Sequence, residues 1–213
     1  MTKVLSVPWK QGVHFGFTGI DGSGKSTQAG HLAFYMKKRF GPTYLAEPRT
    51  DMISQLLHSL AWHHGKVGRR KYYGNRMVDF AKSFDVVRDY QTTLVPLLSA
   101  GTHVVEPRSV FCRSAMAFAM NGERDIKTEE VLGLIPKPDL LFWLDTKPDI
   151  ALERINRRAI DCETLRDLQL FYDAYHKIPE SRNWIHIDGN AEELAIAEQI
   201  RKHVDAFFAS QDS

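Results

Sequence analysis

The segment Gly19-Ile20-Asp21-Gly22-Ser23-Gly24-Lys25-Ser26 constrains this chain more than any other. It satisfies G-x-x-x-x-G-K-[ST], the pattern of a phosphate-binding P-loop. Glycines at these positions let successive backbone N–H groups turn inward around a polyphosphate. Lys25 can reach the β- and γ-phosphates of a nucleotide, and the Ser26 hydroxyl can hold Mg²⁺. The flanks supply the context that the motif requires. His14-Phe15-Gly16-Phe17-Thr18 reads as a short buried strand, and the residues from Lys25 to Phe40 read as a helix. The helix N-terminus then points its partial positive charge at the anion. Gly19, Asp21, Gly22, Ser23, Gly24, Lys25, Ser26 and Thr27 are the expected ATP-holding residues.

Further along, strand-like apolar runs alternate with helical patterns. Strands are expected at 13–18, 43–46, 103–106, 139–145 and 184–188. Helices are expected at 25–40, 51–62, 72–100, 111–121, 128–134, 148–159, 165–178 and 191–209. Such alternation predicts an α/β fold: a three-layer P-loop sandwich with a five-stranded parallel sheet and helices on both faces. With 213 residues, a single domain covering the whole chain is expected. A net charge of +2 leaves no footprint for broad nucleic-acid binding. The two cysteines, Cys112 and Cys162, lack metal-ligand spacing and suit a reducing compartment. No apolar run approaches the ~18–20 residues of a membrane span, and no signal-peptide core is visible, so a soluble cytoplasmic protein is expected.

In open α/β sheets, ligands bind beyond the carboxyl ends of the strands. Asp21, Glu47, Glu106 with Arg108, and Asp145 all fall at such ends. Ser26, Glu106 and Asp145 are the candidate Mg²⁺ residues. Arg154, Arg157, Arg158 and Arg166 fall in or after a helix near 154–168 that reads as a lid, because phosphoryl transfer builds charge that guanidinium forks neutralise. Phe84 and Arg88 lie four apart and share a helix face. Gly65 through Lys71 reads as a mobile basic loop, and the neighbouring His63-His64 pair reads as surface rather than metal site.

From about residue 13 to 188 the chain resembles the thymidylate kinase family. The resemblance rests on Phe17 through Gln28, on Glu47-Pro48, on Phe84 through Arg88, on Pro96 through Gly101, and on Pro138 through Asp145. It implies that Phe84 stacks on a pyrimidine, that Arg88 reads its edge, and that Asp21 approaches the sugar or acceptor phosphate. It also implies lid-borne catalytic charge, here Arg154 and Arg158, and a homodimer. The chain departs from the family pattern at several places. Arg49-Thr50 follows Glu47-Pro48 in place of Gly-Gly-Thr, and Ser54 stands where an acceptor-phosphate Arg is expected. Glu106-Pro107-Arg108-Ser109 replaces Asp-Arg-Tyr, and Ala117-Phe118-Ala119 replaces Ala-Tyr-Gln.

Glu106-Pro107-Arg108-Ser109 also resembles the Glu-Arg-Ser of deoxyribonucleoside kinases. Arg154, Arg158 and Glu163 partly match their lid. In that group the Glu of Glu-Pro, here Glu47, acts as general base. The leading reading is therefore an ATP-dependent phosphotransferase acting on a pyrimidine nucleoside 5′-monophosphate, dTMP or a relative. Lys25, Arg154, Arg158, Glu47 and Arg108 would carry the chemistry. Asp21, Glu47, Arg49, Phe84, Arg88, Arg108 and Phe118 would form the acceptor site. The alternatives are a nucleoside kinase using Glu47 as base, and an ATP-binding regulatory module without transfer chemistry.

Overall fold

A computed structural model describes residues 11–46, 52–65, 68–158 and 163–211. Its elements run β1 (His14–Thr18), α1 (Lys25–Arg39), β2 (Thr43–Leu45), α2 (Met52–His63), α3 (Arg69–Tyr73) and α4 (Asn75–Asp89). A π-helical turn (Tyr90–Leu94), α5 (Val95–Ser99), β3 (His103–Glu106), α6 (Val110–Asn121) and α7 (Ile126–Leu132) follow. The chain then forms β4 (Leu140–Asp145), α8 (Pro148–Arg158), α9 (Leu165–Lys177), a 3₁₀ turn (Pro179–Asn183), β5 (Ile185–Asp188) and α10 (Glu193–Gln211).

All four strand pairings are parallel, in the order β2-β3-β1-β4-β5. The expected five-stranded parallel sheet is thus borne out. Side-chain alternation along each strand fixes what each face buries. Phe15, Phe17, Val105, Phe142, Leu144 and Ile187 pack with α1 and α10 into one core. On the other face, Leu141 and Trp143 join α8 and α9, while Val104 joins α4, α5 and α6. Glu106 shares the parity of Val104, so its carboxylate faces the α4–α6 side.

The helix expected over 72–100 is divided. Gly74, at φ +80° and ψ 159°, ends α3 and starts α4. Pro96 has no N–H and crowds the preceding turn, and the chain answers with the wider π-turn at Tyr90–Leu94. The expected basic loop is also shorter than its sequence suggests. Arg69, Arg70 and Lys71 belong to α3, which packs against α2 and α4.

Candidate active site

The P-loop joins β1 to α1. Gly19, Gly22 and Gly24 have φ of +140°, +80° and +93°, conformations that a side chain strains. Added bulk is excluded as well, because a Cβ on Gly22 would lie 2.4 Å from the Ala151 carbonyl oxygen. Lys25 is 5% exposed, and its Nζ donates to the carbonyls of Gly19 at 2.9 Å and Ile20 at 2.7 Å. The ammonium is thereby folded back onto its own loop. Burial pulls the Lys25 pKa below its ordinary value, and Asp21, 3.5 Å away, opposes the shift.

Asp21 also pairs with Arg108 at 2.7 Å. Burial alone would raise the Asp21 pKa, but Lys25 and Arg108 outweigh it and hold the carboxyl below its usual range. Tyr175, buried on α9, donates its hydroxyl to the Gly19 carbonyl at 3.0 Å and braces the loop from above. Glu106, 3% exposed, receives the Tyr90 hydroxyl and lies 3.1 Å from His14 Nε2. The Ser109 hydroxyl is buried with no hydrogen-bond partner among the described residues.

Of these groups, Gly19, Asp21, Glu106, Arg108, Ser109 and Tyr175 border a cavity of about 1000 Å³ at the carboxyl edge of the sheet. Its lining includes Gly19, Asp21, Ser26, Glu106, Arg108 and Ser109. It also includes Tyr44–Ala46 at the end of β2, which β3 separates from β1, with Arg69, Arg70, Lys82, Asp89 and Thr93. Cys112, Arg113 and Met116 of α6, with Phe171 and Tyr175 of α9, complete the lining. Deep cations and carboxylates around one polar cleft suit a polyanionic ligand.

The structure gathers Gly19, Asp21, Ser26, Glu106 and Arg108 around this cavity, and Lys25 is bonded to the carbonyls of two lining residues, Gly19 and Ile20. Ser23 is buried beneath the loop, and Thr27 is exposed on α1. Other expected residues lie elsewhere. Phe84 is 46% exposed and does not line the cavity. Arg88 is engaged by Asp85 at 3.4 Å and Asp89 at 2.7 Å. Both follow Lys82 and Val86 by two positions, about 200° around the helix, so α4 turns a different face inward. Phe118 sits two positions past Met116 and lines a separate cavity of about 150 Å³.

Asp145 is turned toward β5 and α9, with His186 at 2.7 Å and His176 at 3.6 Å, and does not reach the cavity. The expected metal role therefore has no support at that position. Arg154 donates to the Gly189 carbonyl at 2.8 Å, and Arg157 pairs with Glu153 at 2.6 Å. Arg158 and Arg166 are exposed. None of the four borders the cavity in this conformation. Glu47 and Arg49 lie outside the described residues. His63 and His64 stand at the end of α2, and no cluster of three metal ligands occurs among the described residues.

Sequence reasoning missed Lys82, Asp89, Thr93, Arg69 and Tyr175. Period-3.6 spacing marks which residues share a face but not which face meets the cavity.

A phosphate loop at the first strand–helix junction, set against buried cations on a five-stranded parallel sheet, defines a P-loop nucleotide-binding enzyme. The thymidylate kinase family model matches residues 17–200. A Leptospira interrogans thymidylate kinase is 30% identical over 86% of this chain and 89% of its own length. An Akkermansia muciniphila thymidylate kinase is 30% identical over 90% of this chain and 91% of its own. A Dictyostelium discoideum deoxyadenosine kinase is 26% identical over 94% of this chain and 81% of its own. The chain belongs to the thymidylate kinase family and is a nucleotide kinase.

Proposed function

We propose that this protein transfers the γ-phosphoryl group of ATP to dTMP, giving dTDP and ADP. The observation that carries the reading is the single cavity that joins the P-loop to a second cationic wall. The thymidylate kinases among its relatives support the same assignment. Loop amides and Lys25 hold the ATP phosphates. Arg108 pairs with Asp21, lines the cavity beside it and is placed to neutralise the migrating phosphoryl group. Arg154 and Arg158 join it when the lid near 154–168 closes, after Arg154 leaves the Gly189 carbonyl. Closure excludes water and suppresses ATP hydrolysis.

Ser26 offers a hydroxyl and Glu106 a carboxylate to the same cavity, an oxygen donor set that suits Mg²⁺. When bound, the ion neutralises charge on the ATP phosphates. His14 and Tyr90 orient Glu106 for this role.

A homodimer is part of this reading. Met52, Leu56 and Trp62 of α2 are 55%, 57% and 66% exposed, and Met77 and Phe84 of α4 are 52% and 46% exposed. This apolar face is the surface we assign to a second copy. The domain assignment, one catalytic unit over the whole chain, and action in the cytoplasm belong to the same proposal. Among the described residues no helix is long and apolar enough to cross a membrane.

The likeness to deoxyadenosine kinase favours one second reading, a nucleoside kinase with Glu47 as general base. Incubation with ATP, Mg²⁺ and dTMP tests the assignment. Equimolar ADP and dTDP by ion-exchange chromatography are expected. ADP without dTDP, or no turnover, refutes it.

A further inference from the structure

The basic stretch before α4 has no role in the site as built so far. Its first two arginines behave differently. Arg70 Nη2 donates to Asp79 Oδ1 at 2.5 Å, and its Nη1 donates to Asp79 Oδ2 at 3.1 Å. Asp79 has no solvent exposure, and Asn121 of α6 donates to the same carboxylate at 3.3 Å. A bidentate pair on a buried, further-bonded carboxylate is a rigid anchor. It fixes α3 against α4 and α6.

Arg69, held beside this anchor, borders the cavity. Its Nε is buried and has no hydrogen-bond partner among the described residues. A buried donor without an acceptor is costly, so such groups in native structures point to a missing partner. Lys82, 6% exposed, lines the same wall. The ATP phosphates are assigned to the P-loop after β1, and β3 separates that strand from β2, whose end shares the cavity with Arg69 and Lys82; the anion that suits these two cations is therefore assigned to the other substrate. The residue at the α2 position where an acceptor-phosphate Arg was expected, Ser54, is 2% exposed and supplies no charge.

We infer that Arg69 is a specificity-determining residue that grips the 5′-phosphate of the acceptor nucleotide, and that the Arg70–Asp79 pair positions it. The inference rests on the nucleotide-acceptor reading given under Proposed function. Arg69 supplies from α3 the charge that α2 lacks. A fork of N–H groups matches a phosphate edge in a way that an ammonium does not.

Steady-state kinetics on the wild type, Arg69→Gln, Arg69→Lys and Arg70→Ala, with circular dichroism melts, test it. Arg69→Gln is expected to raise KM for dTMP about 20-fold, as loss of a charged hydrogen bond implies, and to leave KM for ATP within about twofold. Arg69→Lys recovers part of the loss. Arg70→Ala, with Arg69 intact, raises KM for dTMP in the same direction. Isothermal titration on the Arg69→Gln protein is expected to show weaker dTMP binding and unchanged thymidine binding. A wild type that phosphorylates no monophosphate overturns the functional reading and this inference with it. A wild type active on dTMP whose Arg69→Gln variant keeps its KM overturns the inference alone. Equal losses of dTMP and thymidine binding also overturn it.

Discussion

Replacing Lys25 by methionine separates what this residue does for the fold from what it does for the reaction. In the P-loop the ammonium donates to two carbonyls, Gly19 and Ile20, at 2.9 and 2.7 Å. Losing two hydrogen bonds from a charged donor costs about 3–6 kcal/mol at ~1.5–3 each. The ammonium is also 5% exposed, and burying such an ion costs several kcal/mol that methionine does not incur. The two effects offset, so net stability changes by within about 2 kcal/mol, or less than about 8 °C in melting temperature for a chain of this size. No such offset exists in the transition state. There Lys25 must leave the carbonyls and meet developing negative charge, and loss of one preorganised donor of this kind lowers kcat about 10²–10³-fold. A coupled assay for ADP release and a thermal melt on the same preparation check both halves. A kcat within tenfold of wild type refutes the catalytic role. A melting temperature lowered by far more than 8 °C refutes the offset.

Three further outcomes follow from the geometry. His103 Nδ1 accepts from the Val13 amide at 3.1 Å, and burial lowers its pKa below 6.5 although the Phe40 carbonyl opposes the shift. Its contribution to stability is therefore present above pH 6.5 and lost as pH falls through the lower folded value, so urea midpoints of His103→Gln should depend less on pH there. Tyr175→Phe removes only the hydroxyl that braces Gly19, whose carbonyl keeps Lys25 as donor. Its loss should cost about 1 kcal/mol or less in urea unfolding, with a larger effect on KM for ATP than on KM for dTMP. Phe84→Glu places a charge on the exposed α2–α4 face and should shift size-exclusion elution from dimer to monomer; unchanged elution argues against that interface.

The sheet was legible because its strands are short apolar runs with both faces covered, and Phe15, Phe17, Phe142 and Leu144 mark them plainly. The P-loop was legible because its geometry demands glycine at fixed spacing. The acceptor end was not. Lys82, Asp85 and Asp89 read as the polar side of an amphipathic helix, yet Lys82 and Asp85 are 6% and 2% exposed. Phe84 reads as inward and stands outward. Period alone cannot tell a helix side buried against apolar neighbours from one that walls a polar cavity. Arg69 and Arg70 read as loop because two glycines, Gly65 and Gly68, precede them. Their order comes from Asp79, 9 positions beyond Arg70, and from Asn121, 42 positions further on, which holds the same carboxylate; no local window joins these residues. Asp145 read as a metal residue from its place at a strand end. Its Oδ2 instead meets His186, 41 positions on, a partner no local window shows.

The measurement that bears most directly on the central claim is kcat/KM for a panel pairing each nucleoside with its 5′-monophosphate, at saturating ATP and Mg²⁺. The account predicts dTMP as the best acceptor, with thymidine at least a hundredfold poorer. Phosphorylation of nucleosides with no turnover of any monophosphate contradicts it and makes Glu47 the catalytic base.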